Sequence, residues 1–338
     1  MDRVIKPNAL LCPRPAGLYC PPGDFYIDPV RPVDRAVITH GHADHARAGH
    51  GLVMATRETL AIMEVRYGQG FAGQTRALSY GEPAVRDGVE LCLAPAGHIL
   101  GSAQAVVCWK GLTMVVSGDY KRRRDPTCPP FEPVACDVFI TEATFGLPVF
   151  RQPPAAEEIE KLIHSTVQFP ERCHVVGAYA LGKAQRVICL LREAGWDRPI
   201  FVHGALDRLN DLYEVSGVDL SPLRAATGAD RTELAGAIVV APPSALATPW
   251  ARRFPDPIDA FASGWMRIRA RARQRGVEAP LIISDHADWD ELTRTIEELN
   301  PAEVWITHGR EEALARWCDL AGIRSSALAL VGYEDEED

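Results

Sequence analysis

Four side chains able to bind a metal ion lie within six residues of one another: His40, His42, Asp44 and His45. They directly follow an apolar run at 36–39 that predicts a short strand. Imidazole and carboxylate groups are ligands suited to Zn²⁺ or Mn²⁺. Four polar, titratable groups at one strand end cost stability unless something binds them. The motif therefore predicts a metal site.

Three more potential ligands, His98, Asp119 and His308, each follow a strand-like run elsewhere in the chain. The seven groups together are enough for two divalent metal ions that share a bridging carboxylate. Two such ions about 3.5–4 Å apart can generate hydroxide at neutral pH and stabilise the oxygens of an in-line displacement. Because these ligand types serve both zinc and manganese, either ion fits, and we expect zinc.

The organisation of the chain favours one domain interrupted by another. Strand-like runs alternate with short loops in the first 145 residues, which is typical of an α/β fold that carries its chemistry at strand ends. From about Arg151 to Ala241, helical and strand patterns alternate and predict a small parallel α/β domain. The earlier pattern resumes at Leu281–Ser284, which we expect to be a strand leading to His286.

The order His-x-His-x-Asp-His, followed by His98, Asp119 and His308, resembles the metallo-β-lactamase superfamily. Further segments resemble the β-CASP nucleases of that superfamily: Thr141–Gly146, Ala180–Gln185, Ser284–Asp288 and Val304–Gly309. Two early segments, Gly17–Cys20 and Gly23–Pro29, are similar to the start of bacterial ligase-associated DNA exonucleases of the mRNA 3′-end processing factor-like type.

The resemblance implies a fold and its boundaries. It implies an α/β chain with a discontinuous metallo-β-lactamase αββα sandwich at residues 1–147 and 280–333. A β-CASP α/β domain would be inserted at residues 148–279, and an acidic tail would occupy residues 334–338.

The resemblance also implies a role for each candidate residue. One metal would be held by His40, His42 and His98, the other by Asp44, His45 and His308, with Asp119 bridging. Asp44, Glu142 and His286 are the candidate catalytic residues. In the Glu142–His286 pair, the carboxylate would keep the imidazole protonated, so that the imidazole can donate a proton to the leaving oxygen. Asp28 either orients a ligand histidine or forms an ordinary turn before Pro29.

Basic residues suggest contacts with a phosphate backbone. Lys183 and Arg186 lie at a predicted helix N-terminus, which is a potential phosphate site, although a plain surface helix fits as well. Arg267, Arg269 and Arg271 belong to an arginine run of period two that continues to Arg275. If extended, the run presents its guanidinium groups on one side; the alternative is a solvated helix.

The composition of the chain indicates the cellular compartment in which we expect it. It has 338 residues, a net charge of −9 and an acidic C-terminal end, with basic patches elsewhere. Nine scattered cysteines without a C-x-x-C motif indicate reduced thiols and a cytoplasmic protein rather than a disulfide framework. The start lacks the apolar stretch of a secretory signal, and no apolar run approaches a membrane span.

These observations favour a metal-dependent DNA exonuclease that hydrolyses phosphodiester bonds in repair. The resemblance implies that it is associated with a DNA ligase and a helicase. The main alternative is an RNA-processing β-CASP ribonuclease, which His308 favours because a histidine there is associated more with RNA enzymes of the family. A small-molecule metallo-hydrolase is disfavoured by the Glu142–His286 pair. A catalytically inactive nucleic-acid-binding scaffold is disfavoured by the full set of ligands.

Overall fold

The computed structural model describes residues 5–254 and 256–328, so the acidic tail at 334–338 lies outside the described residues. The described chain forms two units. The first, here called the sandwich unit, contains the residues up to Phe150 and those from His286 onward. The second, here called the inserted unit, is Arg151–Asp285. The domain boundaries expected from the sequence stay predictions.

Short strands and helices alternate along the described residues. The strands are β1 (Cys12–Arg14), β2 (Gly17–Cys20), β3 (Phe25–Ile27), β4 (Arg35–Val37), β5 (His50–Ala55), β6 (Ala72–Ala77), β7 (Ala84–Arg86), β8 (Val89–Pro95), β9 (Ala103–Trp109), β10 (Leu112–Val116), β11 (Val138–Ala143), β12 (His174–Gly177), β13 (Ile200–Val202), β14 (Leu223–Ala225), β15 (Ile238–Ala241), β16 (Ile258–Ala262), β17 (Ala279–Leu281), β18 (Glu303–Gly309) and β19 (Ser325–Ala327). The helices are α1 (Arg57–Tyr67), α2 (Ala155–Gln168), α3 (Lys183–Glu193), α4 (Asp207–Val215), α5 (Arg231–Leu234), α6 (Pro243–Leu246), α7 (Arg269–Gln274), α8 (Trp289–Leu299) and α9 (Glu311–Leu320).

Two mixed sheets build the sandwich unit. One has the order β1-β2-β3-β4-β5-β6, antiparallel through β3 and parallel from β3 to β6. The other has the order β19-β18-β11-β10-β9-β8-β7, with β19, β18, β11 and β10 parallel and the remaining pairs antiparallel. Because β8, β10, β11 and β18 all run in one direction, their carboxyl ends meet at a single edge of the sheet.

Side-chain alternation along the strands explains the layers of this unit. On β11, Val138 and Ile140 pack in the core between the two sheets. Phe139 points to the opposite face, in a cluster with Leu292 of α8 and Leu314 of α9. In the other sheet, Met63 of α1 packs with the outer face of β4 and β5. Successive side chains of a strand face opposite sides, so each sheet buries both faces and the layers are helix, sheet, sheet, helix. This confirms the expected αββα fold class.

The inserted unit has one wholly parallel sheet in the order β14-β13-β15-β12-β16-β17. Its strands alternate with helices, as the sequence pattern predicted. Val175 and Val239 of adjacent strands pack with Phe201 and Leu234 in one core cluster. Both faces of such a sheet are covered by crossover helices, which is why its strands read as short continuous apolar runs.

One expected strand is shorter than predicted, and the arginine run takes the helical rather than the extended one of its two predicted conformations. The strand expected at Leu281–Ser284 ends at Leu281, because only β17 pairs with the edge of the parallel sheet. The arginine run is not extended: Gly264–Arg267 forms a 3₁₀ turn and α7 begins at Arg269. At about 100° per residue, a period of two places successive arginines on opposite sides of a helix, so they do not form one row.

Within residues 5–254 and 256–328, the structure contains no helix that combines the length and the apolar character needed to cross a membrane.

Candidate metal centre

Seven histidine and aspartate side chains converge in the sandwich unit as three overlapping groups. In each group, the potential ligand atoms lie within 4.8 Å of one another. The groups are His40, His42, His98 and Asp119; His40, Asp44 and His45; and His45, Asp119 and His308. The first is the tightest, since Nδ1 of His42 lies 3.1 Å from Nε2 of His40 and 3.0 Å from Nε2 of His98.

Asp119 stands between two sets of imidazoles. Its Oδ2 lies 3.3 Å from Nε2 of His40 and 3.8 Å from Nε2 of His98. Its Oδ1 lies 3.5 Å from Nε2 of His45 and 4.0 Å from Nδ1 of His308. The two oxygens of this one carboxylate therefore face different sets of imidazoles.

Strand ends bring these residues together. The four-residue motif follows β4, His98 follows β8, Asp119 follows β10, and His308 lies near the end of β18. His308 has a φ of 59° and Gly309 a φ of 86°. A Cβ on Gly309 would lie 2.4 Å from the carbonyl oxygen of Ala143, so only glycine lets β18 pass so close to β11.

Asp28 orients one of the candidate ligands. Its Oδ2 accepts a hydrogen bond from Nδ1 of His45 at 2.7 Å, and its carboxylate also accepts bonds from the backbone N and the hydroxyl of Thr39 at 2.7 and 2.6 Å. The bond fixes the ring so that Nε2 faces Asp119, which is how carboxylates usually orient metal-binding histidines. The alternative of a simple turn before Pro29 does not account for these three bonds.

Burial and charge shift the pKa values of the cluster strongly. Burial, followed by the neighbouring imidazoles, lowers the pKa of His40 well below 6.5. Burial also lowers the pKa of His308 to about 3 and raises that of Asp119 to about 7. Burial acts to lower the pKa of His45, but three carboxylates, beginning with Asp119, outweigh it and raise the pKa. His40 and His308 are therefore neutral and able to donate a lone pair.

The residues present fit a divalent cation. The donor set is imidazole nitrogen and carboxylate oxygen, the set that Zn²⁺ and similar ions take. Oδ1 of Asp44 is buried and has no hydrogen-bond partner among the described residues. A buried carboxylate oxygen without a partner carries a desolvation penalty that a bound cation would offset.

Glu142 and His286 form a pair beside this cluster. Oε2 of the wholly buried Glu142 side chain lies 2.9 Å from Nδ1 of His286, whose side chain is 18% exposed. The other oxygen, Oε1, accepts a bond from the backbone N of Tyr120 at 2.8 Å. The His286 ring centroid is 4.7 Å from that of His98. The pair therefore presents a partly exposed imidazole to the rim of the cluster.

Lys183 and Arg186 lie in the inserted unit with side chains that are 6% and 4% exposed. Lys183 Nζ lies 2.9 Å from Oδ2 of Asp285, and Arg186 Nη1 lies 3.1 Å from Oδ1 of the same residue. These buried ion pairs attach the start of α3 to the segment before His286 in the sequence. A contact of either cation with nucleic acid stays a prediction.

The arginine run is more exposed than Lys183 and Arg186. Arg267 and Arg269 are exposed, while Arg271 is half-buried with its guanidinium 4.1 Å from the centre of the Trp265 ring. Arginine stacked on an aromatic face is held in place with little further loss of side-chain entropy.

Arg123 makes a set of contacts that sequence patterns alone did not indicate. Arg123 donates from Nη2 to Oδ2 of Asp288 at 2.6 Å, and its backbone N donates to Oε1 of Glu291 at 2.7 Å. The available signals were the Lys-Arg-Arg-Arg run at 121–124 and the capping pattern Asp288-x-x-Glu291. The first indicated only a basic patch, because nothing local connects residues so far apart in the chain.

Comparisons with known proteins agree with the fold and the cluster. The family model described as "Zn-dependent metallo-hydrolase RNA specificity domain" matches residues 273–327. A "Probable DNA ligase" of Opitutus terrae is 30% identical over 316 residues, which cover 92% of this chain and 30% of that protein. "Cleavage and polyadenylation specificity factor subunit 3-I" of Arabidopsis thaliana is 23% identical over 381 residues, covering 86% of this chain and 54% of that protein.

Shorter and structural similarities point the same way. "Endoribonuclease ysh1" of Aspergillus fumigatus is 36% identical over 104 residues, 29% of this chain and 12% of that protein. A crystal structure of a protein of unknown function from Enterococcus faecalis superposes with a TM-score of 0.55 at 13% identity, over 83% of this chain and 75% of that one. This last likeness concerns the fold alone. The chain spans no more than about half the length of the curated relatives named here.

The layered fold, with potential metal ligands gathered where its strands end, is that of a metallo-hydrolase. The similarities to the cleavage factors and to the ligase-named protein narrow this class. The chain belongs to the β-CASP nuclease family of the metallo-β-lactamase superfamily.

Proposed function

We propose that this protein is a two-metal-dependent DNA exonuclease that hydrolyses phosphodiester bonds in DNA repair. The observation that carries the proposal is the similarity of 92% of the chain to a protein named a probable DNA ligase. A nuclease segment within a DNA ligase makes chemical sense, because a ligase joins DNA ends that a nuclease has first trimmed. On the same ground we propose a DNA ligase as a functional partner, and we propose a helicase from the resemblance to the ligase-associated exonucleases.

Two divalent ions, zinc being preferred, would be held at the His/Asp cluster. His40, His42 and His98 would bind one, Asp44, His45 and His308 the other, and Asp119 would bridge them. The two-sided placement of the Asp119 oxygens supports this division. Bound there, the ions would activate water at neutral pH and neutralise charge on the phosphate.

The chain's own groups would do the remaining work. Besides holding a metal ion, the Asp44 carboxylate would accept a hydrogen bond from the attacking water. His286 would donate a proton to the leaving oxygen or a hydrogen bond to the phosphate. Glu142 would hold the imidazole by Nδ1 and favour its protonated form. That arrangement leaves Nε2 as the ring nitrogen directed away from Glu142.

Arginine side chains of the inserted unit would hold the strand. Arg267 and Arg269 are exposed, and Arg271 is held on Trp265. Guanidinium groups neutralise phosphates and release counterions, which gives sequence-independent affinity. We propose Lys183 and Arg186, at the start of α3, as further contacts with the phosphate backbone.

An RNA-processing ribonuclease is the second candidate. Specific observations favour it: the matched family model carries RNA specificity in its description, and the Arabidopsis relative is a cleavage and polyadenylation factor. His308 also favours this candidate, because a histidine at that position is associated more with RNA enzymes of the family. A protein distinguishes RNA from DNA at a site through the 2′-OH, so substrate choice is measurable with matched strands.

The test is digestion of 5′- and 3′-labelled single-stranded DNA and RNA of one sequence, with Zn²⁺ or Mn²⁺ added to chelator-treated protein. We expect mononucleotides from the DNA, no cleavage with chelator, and no cleavage by Asp119→Asn. A faster reaction on RNA would replace the first candidate by the second. Internal fragments would identify an endonuclease, and failure to cut either strand would refute both.

A further inference from the structure

The loop after Asp119 and the segment after His286 contact each other at two places in the sandwich unit. At the first, the backbone N of Ala287 donates to the carbonyl oxygen of Tyr120 at 2.6 Å. The backbone N of Tyr120 in turn donates to Glu142. The residues that directly follow Asp119 and His286 in the sequence are therefore hydrogen-bonded to each other.

At the second place, Arg123 holds two acidic residues. Its Nη2 lies 2.6 Å from Oδ2 of Asp288, and its backbone N lies 2.7 Å from Oε1 of Glu291. The Asp288 side chain is 0% exposed and that of Arg123 is 38% exposed. Charge-assisted bonds to a buried acceptor are among the strongest polar contacts in proteins.

The acceptor of this contact is itself fixed. Asp288 is the N-cap of α8: its Oδ1 accepts from the backbone N of Glu291 at 3.0 Å, and Oε2 of Glu291 accepts from the backbone N of Asp288 at 3.1 Å. This reciprocal capping box orders the start of the helix. Arg123 is thus attached to a rigid helix terminus that begins two residues after His286.

We propose that Arg123 is a positioning residue that sets the placement of His286 relative to Asp119. Nδ1 of His286 lies 4.0 Å from Oδ2 of Asp119, so a small slide of one loop along the other changes the geometry of the reacting groups. This inference rests on the proposed nuclease function. A misplacement of about 1 Å can cost about 100-fold in rate.

Loss of the arginine has a predictable effect on the loop. Without Arg123, the Asp288 carboxylate stays buried at the helix terminus and loses the charge-assisted bond from Nη2 of Arg123, which is unfavourable. The second attachment between the two loops then weakens, while the Tyr120–Ala287 backbone bond is untouched by the substitution. His286 would gain freedom without any change in the metal ligands.

The test compares Arg123→Gln with Arg122→Gln as the matched control. Arg122 lies in the same loop and also contacts α8, but through Thr295 and Glu298, far along the helix. We expect Arg123→Gln to lower kcat about 10- to 100-fold, with an unchanged metal content and a KM within about two-fold of the wild-type value. Arg122→Gln should keep the wild-type kcat, and Arg123→Lys should recover part of the loss because it keeps the charge.

A double-mutant cycle isolates the contact. Asp288→Asn keeps an N-cap oxygen for Glu291 but removes the negative charge that Arg123 contacts. Both substitutions remove the same interaction. The kcat of the double variant should therefore be no lower than that of the more impaired single variant. If Arg123→Gln fails to fold, Arg123→Lys and Asp288→Asn give the same test, since each should lower kcat with the fold intact.

A readout independent of activity completes the experiment. In ¹⁵N-histidine-labelled protein, the His286 ring signals, assigned by their loss in His286→Ala, should shift or broaden in Arg123→Gln and not in Arg122→Gln. A lower melting temperature with unchanged kcat and unchanged His286 signals would overturn the inference, as would equal kcat losses in both variants. If the wild-type protein cleaved neither nucleic acid, the proposed function would fail, while the His286 signals would still decide the positioning.

Discussion

Nδ1 of His286 lies 2.9 Å from Oε2 of Glu142, although 144 positions separate the two residues in the chain. The carboxylate is buried and is also bonded to the backbone of the residue after Asp119. Asp119, Glu142 and His286 also bring potential ligand atoms within 4.8 Å of one another. Because the buried Glu142 carboxylate already holds Nδ1 of the ring, we propose proton donation rather than metal binding for His286.

We therefore expect His286→Ala to keep its metal and lose most of its turnover. General acid catalysis contributes about 100- to 10,000-fold, so kcat should fall within that range. Glu142→Gln should give a smaller loss, because a neutral amide can still orient the ring. Metal content by plasma mass spectrometry and kcat on labelled DNA check both variants. Full activity of His286→Ala would refute its assignment.

Gly309 offers a test of the close approach of β18 to β11. A Cβ there would meet the Ala143 carbonyl oxygen at 2.4 Å, so Gly309→Ala should displace the neighbouring His308 and weaken metal binding at the side of the cluster that contains it. Gly322→Ala is the control, because Gly322 also has a positive φ, of 74°, but no described atom lies within 4 Å of its Cβ position. The control should lose about 1 kcal/mol of stability and keep its metal.

Calorimetric titration of chelator-treated protein with Zn²⁺ measures this difference. We expect a weaker second binding step for Gly309→Ala and wild-type binding for Gly322→Ala. Identical titrations of the two variants would show that His308 does not depend on the close approach of the strands.

Salt dependence tests the arginine run. Arg269 is exposed at the start of α7, so Arg269→Gln should weaken binding of single-stranded DNA and lower the slope of log K against log[salt] by about 0.7. Arg208→Gln removes the same charge from an exposed position on α4 of the same unit. Fluorescence anisotropy at several salt concentrations should give the control the wild-type slope, and a wild-type slope for Arg269→Gln would exclude a phosphate contact at that position.

His174 predicts a pH dependence for the stability of the inserted unit. It is fully buried at the start of β12, and burial, followed by Arg172, lowers its pKa below the ordinary value of 6.5. Protonation therefore favours the unfolded chain, so the free energy of unfolding should fall as the pH falls below about 6.5, by up to about 1.4 kcal/mol per pH unit.

Urea denaturation at about pH 7.5 and about pH 5.5 measures this effect against the His174→Gln variant. The acid-induced loss should be smaller in His174→Gln than in the wild type. His164→Gln, at an exposed position on α2, should behave as the wild type does. An equal loss in all three proteins would assign the acid sensitivity to other groups.

Much of the candidate site could be predicted because its signals are local. The types and spacing of His40, His42, Asp44 and His45 indicate a metal site on their own, and a strand followed at once by a polar residue places that residue at a sheet edge. The helices α2 and α3 and the strand β12 between them also follow from local periodicity and turn residues.

Other features depended on contacts that no local pattern encodes. The sequence could not tell that the basic residues Lys183 and Arg186 are buried on Asp285, since a lysine and an arginine near a helix start are usually exposed. Period two in the arginine run left an extended segment and a solvated helix as alternatives. The chain forms α7 there, and the neighbouring apolar residues Met266 and Ala272 are buried.

By itself, the sequence determined which groups could bind metal and roughly where along the chain they follow strands. Tertiary structure alone decided that the two oxygens of Asp119 face different imidazoles and that Arg123 reaches Asp288 across 165 positions of sequence. The physical reason is that propensity and periodicity act over a few residues. The distance between two loops is set by how sheets and helices pack their buried faces against each other.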